Sequence, residues 1–252
     1  MKVTFLGTGT SHGIPVIACD CDVCSSDNAK NKRVRSSILV EMNGKNILVD
    51  ATPDFRQQML RYSVSKIDAI LFTHHHADHI FGLDDVRRYN DIQPDPIPCY
   101  ASADSLKVLN NIFGYAFDPP QEGGGVPKIL FRETKDRIDV FGQKVDVIEL
   151  YHGKIKVNGY RFGDFAYITD CSDIPKESAE RLKGLDTLVL GVLRHEKHST
   201  HFSVSEALEA ARILRPKRTF FTHMCHRLEH EKTNDELPSD VKLAYDGLIL
   251  NM

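Results

Sequence analysis

Long hydrophobic runs are missing from this sequence of 252 residues. No stretch is long enough to cross a bilayer, and the sequence therefore predicts no membrane span. The apolar run near the first residue, Val3–Leu6, is too short for the hydrophobic region of a signal peptide and leads into a glycine turn. We therefore expect a soluble, cytoplasmic protein without a membrane partner.

An excess of charge of one sign is also missing, since the formal net charge is only −3. Such a chain has no general attraction for a polyanion, so non-specific binding of nucleic acid is not expected. A hydrophobic fraction of 41% and a charged fraction of 27% exclude fibrous and disordered classes. The length is compatible with one α/β domain spanning residues 1–252.

Cysteines are few but crowded, because three of the six lie between residues 19 and 24. In a chain without a recognisable secretion signal, this crowding is more typical of metal binding than of disulfides. We therefore expect a reducing compartment and a metal held by Cys19, Cys21 and Cys24. Zinc prefers four ligands, so one ligand is missing. Either His226 or Cys225, in the segment His223-Met224-Cys225-His226, could supply it.

The apolar pattern predicts short strands separated by helices, hence two sheets with outer helices. Asn43-Gly44 is a hairpin signal, and Phe117–Lys128, rich in Pro and Gly, is either a solvated loop or a lid. The predicted helices are Pro53–Arg61, Asp84–Tyr89, Ser102–Phe113, Lys176–Lys183 and Ser203–Leu214, the last burying Ala207, Leu208, Ala211 and Leu214. The predicted strands are Val3–Leu6, Ser37–Met42, Asn46–Asp50, Ala69–Thr73, Ile97–Tyr100, Ile129–Phe131, Lys144–Leu150, Phe165–Thr169, Thr187–Leu193, Arg218–Thr222 and Gly247–Asn251.

The strongest functional signal follows the predicted strand Ala69–Thr73, in the run His74-His75-His76-Ala77-Asp78-His79. In extended backbone, His74 and His76 point to the same side and can bind one ion. Asp78 and His79 follow where the chain turns into a helix, which directs them to a neighbouring position. His75 is expected to point away. The alternative, a histidine-rich solvated turn, fits poorly with the buried strand directly before it.

Three further candidate ligands lie at or just after predicted strand ends, namely His152, Asp170 and His223. Any one of them alone would more often be a structural residue with hydrogen bonds. Strands of one sheet bring their same ends together, and sites are built there. Together with the histidine run, these residues predict a site with two metals.

The run His74-x-His76-x-Asp78-His79, with His152, Asp170 and His223 downstream, resembles the metallo-β-lactamase superfamily along the full chain. The resemblance implies an αββα sandwich with a binuclear site at one edge of the sheets. By position, one metal would be held by His74, His76 and His152, the other by Asp78, His79 and His223, with Asp170 bridging both. Zinc and manganese both suit such ligands.

Within this superfamily the chain is similar to the PhnP-like cyclic phosphodiesterases of the carbon–phosphorus lyase pathway. That branch has the same cysteine loop after its glycine opening and a His-x-x-His near its end. The resemblance implies a structural zinc held by Cys19, Cys21, Cys24 and His226, separate from the catalytic pair. It favours His226 over Cys225 as the fourth ligand.

Two metals about 3.5–4 Å apart can lower the pKa of a bridging water and clamp phosphate oxygens. A hydroxide between the metals is then the expected nucleophile, and a general acid is needed for the leaving alkoxide. The family pattern places this acid before a helix as His-x-Ser/Asp, which His201 matches; the alternatives are His198 together with His195, or a turn without a role. His12, in the glycine loop, is expected to reach the substrate phosphate.

These features predict a binuclear metal hydrolase that cleaves small phosphodiesters, cyclic ones such as phosphoribosyl 1,2-cyclic phosphate included. One alternative is a tRNA 3′-processing endonuclease, which shares the Gly-Thr-Gly opening but usually carries a basic tRNA-binding arm. The other is a non-hydrolytic accessory protein of cofactor biosynthesis, which would be expected to lose some ligands. The sequence does not determine the oligomeric state, and a homodimer is compatible with it.

Overall fold

The computed structural model describes residues 1–118 and 125–252. The strands are β1 Lys2–Gly7, β2 Ser37–Met42, β3 Lys45–Val49, β4 Ala69–Leu71, β5 Ile97–Ala101, β6 Ile129–Glu133, β7 Arg137–Val140, β8 Gln143–His152, β9 Ile155–Phe162, β10 Phe165–Ile168, β11 Thr187–Gly191, β12 Arg218–Thr222, β13 Val241–Leu243 and β14 Ile249–Asn251. The α-helices are α1 Asp22–Ser25, α2 Phe55–Arg61, α3 Ala77–Ile80, α4 Arg87–Asn90, α5 Ala103–Ile112, α6 Lys176–Arg181, α7 Val204–Leu214 and α8 His230–Glu236. Short 3₁₀ helices span Ala29–Asn31, Leu83–Val86 and Gly114–Ala116.

The strands form two mixed seven-stranded sheets, ordered β14-β1-β2-β3-β4-β5-β6 and β13-β12-β11-β10-β9-β8-β7. The core between them takes residues from both sheets, for example Val40 and Leu71 from the first and Tyr160 and Val189 from the second. Since side chains alternate along a strand, each sheet also presents an apolar outer face.

Helices cover both outer faces. Phe55 and Met59 of α2, with Leu109 of α5, pack on the first sheet, and α7 packs on the second through Ala207 and Leu214. The order of layers is therefore α, β, β, α. The αββα sandwich predicted from the sequence is confirmed.

Local sequence accounts for the predicted hairpin at Asn43-Gly44 and for the start of α7. Asn43 and Gly44 have φ of 48° and 73°, the left-handed backbone that a two-residue hairpin turn requires, and Met42 pairs with Lys45 across it. Ser203 caps α7 in a capping box with Glu206. On α7, Ala207, Ala211 and Leu214 are buried as predicted, whereas Leu208 is half-buried.

Several elements differ from their prediction. The single helix expected over Asp84–Tyr89 is a 3₁₀ turn, Leu83–Val86, that continues as α4. Strand β9 was not predicted, because Asn158 and Gly159 are poor strand formers. It forms because β8 and β10 both pair with it. Strands β7 and β13 and helices α1 and α8 were also not predicted, whereas the turn into a helix that was expected at Asp78 and His79 is α3.

The segment Phe117–Lys128, for which a loop and a lid were both considered, falls partly outside the described residues, which omit 119–124. On one side of it, the Phe117 ring packs 5.3 Å from the Phe131 ring. On the other side, the Lys128 backbone amide donates to Asn90 Oδ1 over 2.7 Å. Among residues 1–118 and 125–252, no helix combines the length and apolar character needed to cross a membrane.

Candidate metal centres

The carboxyl ends of several strands meet at one edge of the sandwich. In the first sheet β3 and β4 run parallel, and in the second β10, β11 and β12 run parallel. Strand β8 has the direction of β10, since both are antiparallel to β9. The residues that end or follow these strands are Asp50, Thr73, His74, His152, Asp170 and His223. Strand direction therefore collects residues from distant parts of the sequence.

Two groups of side chains converge at this edge, and within each group the nitrogen and oxygen atoms that could bind an ion lie within 4.8 Å of one another. The first group, here called site 1, consists of His74, His76, His152 and Asp170; the second, site 2, consists of Asp78, His79, Asp170 and His223. Asp170 belongs to both. The structure thus brings together every side chain that the sequence assigned to the binuclear site, in the two predicted groups.

Three residues at this edge have the left-handed backbone that non-glycine residues rarely adopt. The φ angles are 65° for Asp50, 48° for Asp170 and 60° for His223. The chain beside Asp170 is also tightly packed, because a Cβ on Gly191 would lie 2.9 Å from the Asp170 backbone nitrogen. Strained backbone of this kind concentrates at functional sites.

Asp50 orients the site from behind, a role that the sequence analysis missed. Its Oδ2 lies 2.7 Å from His79 Nδ1. It also accepts hydrogen bonds from the Thr73 amide and hydroxyl, each over 2.8 Å. The available signal was the one used for Asp170, a carboxylate at the end of a predicted strand.

The imidazoles of site 1 are held in defined orientations. His152 Nδ1 donates to the Thr200 carbonyl over 2.6 Å, which leaves the lone pair on Nε2. Nδ1 of His74 lies 3.0 Å from the Thr73 hydroxyl. His75 is turned away, as predicted, with Nδ1 3.2 Å from Ser105 Oγ.

Burial and neighbouring charges set the protonation of these groups. Burial, reinforced by His79, holds the pKa of His74 well below its ordinary value, and burial with His152 lowers the pKa of His76. Burial opposes ionisation of Asp170, but His223 and His79 outweigh it and hold its pKa well below the ordinary value. Burial likewise opposes the charge on His79, yet Asp170 and Asp50 raise its pKa well above normal. Ionised carboxylate and neutral imidazole are the forms that bind metals, which Asp170, His74 and His76 already have, whereas His79 has to lose its proton when a metal binds.

The donor set fits a pair of divalent metals. Imidazole and carboxylate suit zinc and manganese alike. Nε2 of His74 is fully buried, and the described residues offer it no hydrogen-bond partner. A buried polar atom left unpaired is costly. The buried, unpaired Nε2 of His74 is explained if this nitrogen binds a metal in site 1.

His201 is the one of the three candidate acids whose ring packs against both groups. Its ring centroid lies 4.5 Å from that of His152 and is stacked 5.1 Å from that of His223. Burial, with His223, lowers the pKa of His201 to about 3. The His198 ring lies behind it at 5.3 Å, and His195 is exposed.

The glycine loop reaches site 2 through Thr10. Gly9 is bridged to Arg35 on one side and Met224 on the other. A Cβ there would lie 2.7 Å from the Arg33 carbonyl oxygen, so the loop needs glycine. The Thr10 hydroxyl lies 3.2 Å from His223 Nε2. His12 is exposed two residues later.

The cysteine loop forms a third group with His226, called the thiol site, and its potential ligand atoms also lie within 4.8 Å of one another. Nδ1 of His226 is 3.2, 3.5 and 3.6 Å from the sulfur atoms of Cys19, Cys21 and Cys24. The alternative ligand Cys225 lies apart, and its sulfur accepts a hydrogen bond from the Arg227 amide. Cys99 and Cys171 are buried free thiols.

Comparison with known proteins agrees with this fold. Residues 45–224 match the family model described as the beta-lactamase superfamily domain. A crystal structure described as a new diphosphatase from the PhnP family is 44% identical, with a TM-score of 0.93, and the match covers 99% of this chain and 96% of that one.

Two curated relatives are more distant. The octanoyltransferase of Porphyromonas gingivalis is 33% identical over 252 residues, or 98% of this chain, which spans about half of that protein (51%). The coenzyme PQQ synthesis protein B of Methylobacterium radiotolerans is 32% identical over 78% of this chain and 74% of its own length. The metal-dependent hydrolase predicted from the sequence is confirmed at the level of the family. The chain belongs to the metallo-β-lactamase superfamily, in its PhnP-like branch.

Proposed function

We propose that this chain is a binuclear metal-dependent phosphodiesterase acting on small phosphodiesters, cyclic ones included. The observation that carries the proposal is the convergence of two ligand groups on one shared carboxylate, Asp170. A shared carboxylate holds two cations close together, which is the arrangement that suits displacement at phosphorus. Similarity to a protein named as a PhnP-family diphosphatase supports phosphorus–oxygen bond hydrolysis.

The proposed ligands are the side chains of the three groups. His74, His76 and His152 would hold one metal, Asp78, His79 and His223 the other, and Asp170 would contact both. When bound, the two metals, zinc or manganese, supply Lewis acidity to the phosphoryl oxygens and lower the pKa of a water. The thiol site, with three sulfurs and one imidazole, suits a structural zinc with no ligand position left for substrate.

The chain's own groups orient the substrate and supply a proton. Thr10, against His223, places the glycine loop beside site 2, where backbone amides and His12 can contact the phosphate. His201 would donate a proton to the leaving oxygen. Its pKa of about 3 lies well below the near-neutral value that a general acid needs. A phosphate anion bound beside the ring would raise that pKa.

The net charge of −3 supports a small substrate rather than a large polyanion such as tRNA. We further propose one domain over residues 1–252, because both sheets supply ligands to the same groups. Thiols gathered around His226, rather than paired in disulfides, support a reducing, cytoplasmic location.

A second candidate is hydrolysis of a diphosphate linkage, favoured by the 44% identity to the protein named as a diphosphatase. The two reactions share an attack on phosphorus but differ in the leaving group. A phosphate leaving group is a weaker base than an alkoxide and needs less help from a general acid.

The test is a substrate panel with purified protein loaded with zinc or manganese. It comprises bis-p-nitrophenyl phosphate, a five-membered cyclic phosphate, a dinucleoside diphosphate, a phosphomonoester and a precursor tRNA. We expect turnover of the diesters, with Asp170→Ala binding fewer metals and losing nearly all activity. Preference for the dinucleoside diphosphate would select the second candidate. Cleavage of precursor tRNA without activity on small diesters would show a processing endonuclease, and inactivity on the whole panel would favour an accessory protein.

A further inference from the structure

Arg33 is a completely buried guanidinium whose hydrogen bonds all go to uncharged oxygens. Nε donates to the Lys30 carbonyl over 3.1 Å, and Nη2 donates to Asn31 Oδ1 over 3.3 Å. Two further bonds reach a distant segment, from Nη1 to the Cys225 carbonyl over 3.3 Å and from Nη2 to the Leu228 carbonyl over 2.8 Å. Burying a charge is costly unless such bonds compensate for it.

The segment that Arg33 binds connects two of the proposed metal sites. His223 belongs to site 2 and His226 to the thiol site, and the Cys225 carbonyl lies between them in the chain. The segment begins with a left-handed residue, His223, with φ of 60°. Its conformation decides the direction of both imidazoles, one on each side.

Other contacts hold one side of this segment. The Met224 amide donates to the Thr8 carbonyl over 2.9 Å, and the Thr10 amide donates to the Met224 carbonyl over 3.0 Å. The Cys225 amide donates to the Leu193 carbonyl over 3.0 Å. These bonds fix residues 224 and 225 from the glycine loop and from the segment that follows β11. Within the segment, the Cys225 carbonyl accepts from the Leu228 amide over 3.3 Å. From outside the segment, Arg33 binds the carbonyls of residues 225 and 228.

Arg33 also holds the cysteine loop through its backbone. Its amide donates to the Ile14 carbonyl over 2.8 Å, and its carbonyl accepts from the Ile14 amide over 2.7 Å. Ile14 packs with Val23 and Cys24 in the small apolar cluster of that loop. One residue therefore contacts the polypeptide on both sides of the thiol site.

The guanidinium stays charged under ordinary conditions. Burial lowers the pKa of Arg33 to about 10, with Asp246 opposing the shift. A rigid planar fork with a positive charge can bind two carbonyls of one segment at a fixed spacing, and lysine has no equivalent geometry.

We propose that Arg33 is a positioning residue that couples the two kinds of metal site, by fixing residues 223–228 so that His223 faces site 2 and His226 faces the thiol site. This inference rests on the proposed function, because it takes the two groups to be metal sites. It predicts that loss of one side chain, which belongs to neither ligand set, weakens metal binding at both.

The test compares Arg33→Met, Arg33→Lys and Leu109→Ala with the wild-type chain. Methionine keeps much of the length but has no charge and no donor, and lysine keeps the charge without the fork. Leu109 is fully buried between α5 and the first sheet and belongs to none of the three sites, so it serves as a control for lost stability. The readouts are metal content per chain across graded chelator concentrations and the visible spectrum after cobalt substitution. Thiolate–cobalt charge transfer reports the thiol site, and ligand-field bands report sites 1 and 2.

For Arg33→Met we expect both classes of metal to be lost at chelator concentrations about tenfold or more below those for wild type, the scale of an outer-sphere ligand partner. The chelator midpoints of Arg33→Lys should lie between those of Arg33→Met and wild type. Leu109→Ala should melt at a lower temperature than wild type but keep the wild-type chelator midpoints. Midpoints within twofold of wild type in Arg33→Met, or a shift at one class only, would overturn the coupling. If Arg33→Met does not fold, Arg33→Lys decides by the same criterion.

The same data separate this inference from the proposed function. A wild-type chain that loads both classes of metal but cleaves no ester contradicts the phosphodiesterase and leaves the coupling intact. If the wild-type and Arg33→Met chains bind both classes of metal equally well, only the coupling is contradicted. A wild-type chain that binds no metal at these groups overturns both.

Discussion

Oδ2 of Asp50 lies 2.7 Å from Nδ1 of His79, and Nε2 of the same ring lies 3.1 Å from Oδ2 of Asp170. Asp50 is fully buried at the end of β3 and receives two more hydrogen bonds from Thr73. The carboxylate therefore fixes both the tautomer and the direction of the imidazole. Carboxylate–histidine pairs of this kind orient metal ligands and increase their basicity.

The first prediction is that Asp50→Asn lowers metal affinity at site 2 about 10–100-fold without unfolding the chain. The amide keeps only one acceptor oxygen, whereas Thr73 and His79 use both carboxylate oxygens. The measurement is a competition titration with a chelator. The control is Asp68→Asn, a buried carboxylate paired with Lys45 and Lys66 just before β4 begins, away from the ligands. Equal affinities for Asp50→Asn and wild type would contradict the orienting role.

The second prediction concerns the thiol site. Cys21→Ser and His226→Ala should each lose one zinc per chain and melt at a clearly lower temperature, because a structural zinc contributes folding free energy. Cys225→Ser should keep its zinc, since the Cys225 sulfur lies outside the thiol site. Elemental analysis of protein purified without chelators checks all three. If Cys225→Ser lost the zinc and His226→Ala kept it, the fourth ligand would be Cys225.

The third prediction uses the leaving group to test His201. His201→Ala should slow diesters with poor alkoxide leaving groups by about 10²–10⁴-fold, the usual contribution of a general acid. Esters of p-nitrophenol should be slowed far less, because p-nitrophenolate needs little protonation. The ratio of kcat/KM for the two ester classes is the measurement. A double variant, His195→Ala with His198→Ala, should keep the wild-type ratio. Equal slowing of both ester classes in His201→Ala would remove this residue from the acid role.

The fourth prediction is an acid-dependent loss of stability through His230, which is buried against Tyr245. Burial, reinforced by Arg33 and Lys30 and opposed by Glu231 and Glu229, lowers its pKa from 6.5 to about 4. Between these values the unfolded chain takes up a proton that the folded chain does not. The stabilising contribution is therefore complete above pH 6.5 and is lost as the pH falls towards 4.

His230→Phe keeps a ring but cannot titrate, so its free energy of unfolding should fall less steeply over this pH range. Urea unfolding at pH 7.5, 6 and 5, with the same metal content in both proteins, measures the difference. Parallel pH dependences for the variant and the wild type would show that His230 makes no such contribution.

Much of the candidate site can be predicted from sequence because its signals are local. Four potential ligands follow one buried strand within His74–His79, and further ligands stand at strand ends at His152, Asp170 and His223. Strand direction then brings these ligands together, since the carboxyl ends of aligned strands meet at one edge of the sheets. The hairpin at Asn43-Gly44 and the capping box at Ser203 are local in the same sense.

Other features were decided by tertiary structure alone. Strand β9 forms because two neighbours pair with Asn158 and Gly159, which have little strand preference of their own. Arg33 stands among the basic residues Lys30, Lys32 and Arg35 with no local signal of burial, yet its guanidinium is buried and donates to the Leu228 carbonyl, 195 residues away. Asp50 acquires its role only from His79, 29 residues on. Local spacing determines which side chains can point the same way along one strand, whereas a hydrogen-bond partner on a different strand exists only once the sheets have packed.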